Sequence, residues 1–185
     1  KSEGFRCRQT CAVFLFLFHT CPDIAMVQLG PYATCIFMNY DLAWMQVHEM
    51  LYIERGGSEQ IPDELNAYNP LIPNGKSIVL TLLIEVEDAN RRQVVLKDLA
   101  HIDRHIYLRF NNETVKGTSL HDAIERTKPD GSKTSAVHFL QFDLSNDQVD
   151  KFRYASEVIL GSDHKSYRHM TVLSDNLVQS LGKDF

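Results

Sequence analysis

A chain of 185 residues with 44% hydrophobic and 23% charged side chains is long enough to bury one substantial core, and its composition is that of an ordinary globular protein. The formal charge is −5 and the basic residues are scattered, with no run longer than Arg91–Arg92. That excludes the clustered cationic surface on which non-specific nucleic-acid binding depends. The longest apolar stretch, Cys11 to Phe18, is too short to span a bilayer, which takes about 20 residues. Lys1, Arg6 and Arg8 precede that stretch as they would in a signal peptide, yet Pro22–Asp23 stands where a small-residue cleavage site belongs. Cys7, Cys11, Cys21 and Cys35 lack the spacing of zinc or cluster ligands and do not make a dense disulfide framework. They read as small hydrophobes of a reduced, cytoplasmic protein.

In chain order, 1–26 is an atypical segment, 27–75 a hairpin, helix and connector, and 77–185 an α+β core, all within one domain. Ala25–Leu29 and Tyr32–Met38 are short apolar runs separated by Gly30–Pro31, which predicts a hairpin. Asp41 is placed to cap a helix running to about Arg55, with Gly56–Gly57 as its left-handed stop. Residues 77–86 are almost wholly apolar and β-branched, as a central strand buried on both faces requires. Asp88 opens a helix to about Ala100, and His105–Phe110 alternates as a strand. Asn111–Thr134 is polar and reads as a long surface excursion. Ala136–Leu144 is a strand, and Ser145 with Gln148 forms a capping box for a helix over 146–154, Leu144 and Val149 taking the staple positions. Glu157–Leu160 is a strand, and Ser174 caps a last helix that ends near Gly182. The order β-α-β, loop, β-α-β over about 77–160 predicts a ferredoxin-like sandwich with one sheet face bare of helices. The competing layout is a larger mixed sheet that also recruits the N-terminal hairpin.

Gln46 to Arg55 (QVHEMLYIER) resembles the Q-x-x-E-M-L-x-x-E-R segment of an uncharacterised bacterial domain-of-unknown-function family. Glu64–Pro73, Thr81–Glu85, His105–Arg109, Ala136–Phe142 and Leu160–Tyr167 match further segments in the same order, so the likeness spans roughly 27–185. Family members are often encoded beside rubrerythrin and a heterodisulfide-reductase-like iron–sulfur oxidoreductase. The resemblance therefore implies a setting of peroxide or redox metabolism and an iron–sulfur or di-iron partner. It implies no reaction.

Three groups of residues could carry chemistry. On the first helix, 100° per residue puts Trp44, Val47 and Leu51 on the buried stripe, with His48 and Arg55 on one edge, Glu54 on the other, and Glu49 pointing away. His48, Glu54 and Arg55 are the candidates for catalysis, set against a structural polar network that fixes the helix. Asp163, His164 and His169 follow a strand end and would suit iron, zinc or manganese, the bland alternative being a hydrogen-bonded cluster with Tyr167 that steadies a loop. The third group, His105, Tyr107 and Arg109, projects from the bare sheet face, where it could bind a ligand or a partner together with Tyr167. The sequence holds no phosphate-binding glycine loop, dinucleotide fingerprint or nucleophile elbow. The expectation is an accessory, partner-docking protein. A metal-dependent enzyme and a small-molecule-binding module on the open sheet face are the alternatives.

Overall fold

The computed structural model describes residues 26–120 and 134–185. Nine strands and five α-helices are found among them: β1 (Met26–Leu29), β2 (Ala33–Phe37), α1 (Tyr40–Glu54), α2 (Ile61–Tyr68), β3 (Ser77–Ile84), α3 (Ala89–Asp98), β4 (Ile106–Phe110), β5 (Glu113–Lys116), β6 (Thr118–Ser119), β7 (Val137–Asp143), α4 (Asn146–Arg153), β8 (Val158–His164), β9 (Tyr167–Val172) and α5 (Asp175–Leu181). No helix among the described residues is long and apolar enough to cross a membrane. The cysteine-flanked stretch at 1–25 and most of the polar excursion, 121–133, lie outside the described residues.

The strands form two antiparallel sheets. Sheet A has the order β1-β2-β3-β7-β6 and sheet B the order β5-β4-β8-β9. Both β-α-β units therefore begin in sheet A and end in sheet B, β3-α3-β4 and β7-α4-β8 alike. The ferredoxin-like expectation needs all four strands side by side in one sheet, and these pairings divide them between two. The reason lies in the strand edges. In sheet A, β2 of the N-terminal hairpin takes the edge of β3 that another core strand would need. In sheet B, β5 and β9 flank the β4–β8 pair and complete a sheet without help from β3 or β7. The hairpin is thus recruited into the larger sheet, as the competing layout foresaw, but every pairing is antiparallel rather than mixed.

All eight residues of β3 are buried, because sheet A is covered on both faces. One face of sheet A and the inner face of sheet B share the main core, which gathers Phe37, Leu80, Leu82 and Phe142 with Leu108, Phe110 and Leu160. Leu96 of α3, Phe152 of α4 and Leu177 of α5 join it, and the Phe152 ring stands edge-on to Phe110 at 5.3 Å. The other face of sheet A carries a second cluster, in which Leu42 of α1 and Leu71 pack over Ile36, Met38, Val79 and Leu83.

The caps follow local chemistry. Asp88 and Ser174 accept from backbone amides three residues on, and the Ser145–Gln148 capping box is present in both directions. At α1 the cap is Asn39 rather than Asp41, its Oδ1 accepting from the Leu42 amide at 2.9 Å. Arg55, not the glycines, makes the left-handed stop, at φ 54°.

Candidate functional site

The helix α1 sits on sheet A through Leu42, Ala43, Gln46 and Val47. Trp44, expected in the buried stripe, is 52% exposed, and Leu51 is half-buried. The helix is rotated relative to the expectation because its seat on the sheet is set by Leu42 and Ala43, which leaves Trp44, His48 and Leu51 turned toward α2. There they line a cleft of about 240 Å³ with Ile61, Leu65 and Tyr68. His48 is exposed and held locally: its Nδ1–H donates to the Trp44 carbonyl at 2.9 Å, and the two rings lie 3.9 Å apart. Glu54 accepts from Gln60 Nε2 at 2.9 Å, and Arg55 is an exposed helix cap.

The same rotation carries Glu49 inward. Both of its carboxylate oxygens are out of contact with solvent and have no hydrogen-bond partner among the described residues, and burial pushes its pKa up to about 7. One turn before it, the Gln46 side chain is 4% exposed and its Nε2 likewise has no partner among the described residues. Sequence reasoning missed this pair because it assigned Glu49 to the solvent side. The signal was there: the alternative stripe 42, 43, 46, 47 is as well spaced as 44, 47, 51 and contains a glutamine.

The segment read as a late loop is the β8–β9 hairpin, whose turn falls at Lys165–Ser166. Gly161 is a mid-strand residue over which the far end of the Tyr107 ring lies, in the space a Cβ would take. Alternation along the hairpin separates the supposed metal ligands. Asp163 points outward, where Oδ1 accepts from His105 Nδ1–H at 2.6 Å and Oδ2 from Lys116 at 3.2 Å. The His105 bond and Lys116 beside it hold the Asp163 carboxyl below its usual range. His164 points inward and is buried. Its Nε2–H donates to the Ala100 carbonyl at 3.1 Å and its Nδ1 accepts from the Ser166 amide at 3.3 Å, while desolvation lowers its pKa. His169 packs against the Tyr167 ring, centroids 4.5 Å apart. No group of three or more His, Cys, Asp or Glu among the described residues could hold a metal. The α1 candidates and the hairpin are also not brought together, since α1 lies on the face of sheet A that turns away from the core shared with sheet B.

Tyr167 is a structural keystone. Its hydroxyl accepts from the Tyr32 and Ala33 amides at 2.8 and 2.9 Å and donates to the Leu29 carbonyl at 2.7 Å, tying β9 to the turn of the β1–β2 hairpin. Gly30, at φ +69°, makes room for it and for the His169 ring.

The outer face of sheet B is what the expected bare face becomes. Strand register places Lys116, Tyr107, Arg109, Ile159, Asp163, Arg168, Met170 and Val172 there. Met170 and Val172 are 62% and 58% exposed. Arg168 stands opposite Asp163, whose oxygens are already taken by His105 and Lys116. Arg109 and Arg168 make no ion pair among the described residues.

With this geometry in view, the chain can be set beside known proteins. Residues 23–185 match the model of a protein family of unknown function, DUF3501. The chain belongs to that family. A solved structure of a novel protein of unknown function from Burkholderia pseudomallei K96243 is 32% identical, with a TM-score of 0.78 over 86% of this chain and 83% of the other. No curated protein matches. The DUF3501 assignment fixes family and fold without supplying a reaction.

Proposed function

We propose that this protein works by docking, with the outer face of sheet B receiving the acidic surface of a redox partner. The observation that carries the reading is the pairing of exposed apolar side chains, Met170 and Val172, with two cations that make no ion pair among the described residues, Arg109 and Arg168, on a protein whose net charge is −5. Exposed apolar surface rimmed by charge is the usual anatomy of an interaction site. Tyr107, half-buried over Gly161, supplies an aromatic anchor at its centre. His105, Asp163 and Lys116 form the polar rim, and Tyr167 supports the face from behind through β9. The resemblance of Gln46–Arg55 and its companion segments supports an iron–sulfur or di-iron partner, and an accessory role in redox or peroxide metabolism. On this view the residues of the hairpin place and hold the face, and no bond-making step is assigned to them.

The test uses wild-type protein and an Arg109→Glu/Arg168→Glu variant as baits in extracts of the protein's own cells. Wild type is expected to retain an iron-containing protein at low salt and to release it as the Debye length shrinks below about 8 Å. The variant is expected to retain none. Equal capture by both baits, or a captured partner without iron, overturns the proposal.

A further inference from the structure

The α1–α2 cleft lies on a different element from the docking face, and its chemistry is of another kind. Trp44 and Leu51 of α1 face Ile61 and Leu65 of α2 across about 240 Å³ of space. A closed apolar cavity of roughly 150 Å³ holds one benzene molecule, so this cleft has room for a single substituted ring and not for a helix or an extended peptide. Trp44, Ile61 and Leu65 are all partly exposed, which leaves an apolar surface that a planar guest would cover. His48 is one of the polar residues of the wall, with Tyr40, Tyr68 and Asn69, and the one whose ring is held in place. Its ring is fixed from two sides, by the Nδ1–H bond to the Trp44 carbonyl at 2.9 Å and by the Trp44 ring 3.9 Å away. With Nδ1 carrying the hydrogen, Nε2 of the neutral ring is an acceptor, and it has no protein partner among the described residues.

We infer that this cleft is a binding site for a small one-ring aromatic molecule bearing a hydroxyl or N–H donor. The ring lies between Trp44 and the aliphatic side chains of α2, and the donor reaches His48 Nε2. Aromatic stacking and apolar burial supply the attraction, while the fixed His48 acceptor supplies the selection. The site depends on nothing at the outer face of sheet B, so the two proposals stand or fall separately.

Trp44 is the chain's one tryptophan, so its indole resonance reports the cleft without ambiguity. Phenol and toluene, alike in shape but differing in the donor, are titrated into the ¹⁵N-labelled protein. Phenol is expected to move the Trp44 indole resonance saturably in the roughly millimolar range, as befits so few atoms. Toluene is expected to bind about tenfold more weakly, the worth of one hydrogen bond. His48→Ala, at an exposed position, should bring phenol down to the level of toluene. Leu65→Glu, at the open rim, should abolish the phenol response while far-UV circular dichroism stays unchanged. An indole resonance that moves with neither molecule overturns the proposal, as does a phenol affinity that survives both substitutions. Equal affinity for phenol and toluene overturns the assignment of His48.

Discussion

Replacing Tyr167 by Phe removes one oxygen from the point where the two sheets are tied together. The ring still fills its site, so packing is preserved and the loss is confined to three hydrogen bonds, with the Tyr32 and Ala33 amides and the Leu29 carbonyl. Ala33 and Leu29 are buried, so their polar groups are poorly placed to recover water, and an orphaned buried group costs about 1–3 kcal/mol. Tyr32 is only half-buried and its amide is partly rehydrated. Together these give a loss of about 3 kcal/mol. In urea, where a domain of this size unfolds with a slope near 2 kcal/mol per molar, the midpoint should fall by about 1.5 M with the slope unchanged. Hydrogen exchange at the Tyr32 and Ala33 amides should quicken by about a hundredfold. A midpoint shift below about 0.3 M would mean that the keystone is not where the stability resides. Tyr167 would then return to being a binding residue, and Tyr167→Phe should weaken partner capture instead.

Two further outcomes follow from the same structure. Gly161→Ala would put a methyl group against the far end of the Tyr107 ring, a half-buried side chain that can swing outward. Stability should change by less than about 1 kcal/mol while the Tyr107 ring resonances shift and capture of the partner falls; a loss of several kcal/mol, seen as a large drop in denaturation midpoint, would contradict this placement. Glu49 is pushed by burial from its ordinary 4.5 to about 7, so the folded state holds its proton where the unfolded state has released it. A raised folded pKa stabilises the fold fully below pH 4.5, relative to the charged form, and that stability is lost as pH rises through 7. Glu49→Gln should therefore be about 1–2 kcal/mol more stable than wild type at pH 8, after discounting for solvent near a half-buried group, and should flatten the stability profile between pH 5 and 7. Parallel profiles for the two proteins would show that Glu49 titrates normally.

Local signals were legible wherever a residue's chemistry acts on its own neighbours. Ser145 with Gln148, Ser174 and Asp88 announce helix starts because capping is a bond between residues three apart. Residues 77–84 announce a strand covered on both faces because no polar side chain there would tolerate either side. The Gly30–Pro31 turn announces a hairpin for the same kind of reason, and Tyr107 and Arg109 reach the solvent side of their strand as alternation requires. The face of sheet B was therefore half readable from the sequence.

What escaped was everything that depends on a distant partner. β9, written Tyr167-Arg-His-Met-Thr-Val172, is too polar to read as a strand until β8 supplies its hydrogen bonds. Its absence from the sequence reading turned a hairpin into a loop and placed Asp163 on the same side as His164. The rotation of α1 was equally hidden, since 44-47-51 and 42-43-46 are both acceptable helical stripes and only the sheet beneath chooses between them. Capping by near neighbours and strand alternation are properties of the chain, and the sequence by itself determined what rests on them: two β-α-β units, an N-terminal hairpin and the starts of α3, α4 and α5. The division of those strands into two sheets and the role of Tyr167 belong to the tertiary structure. So does the face that α1 shows to α2. Strand edges pair with whichever edge is nearest, and proximity across more than a hundred residues is written in no local pattern.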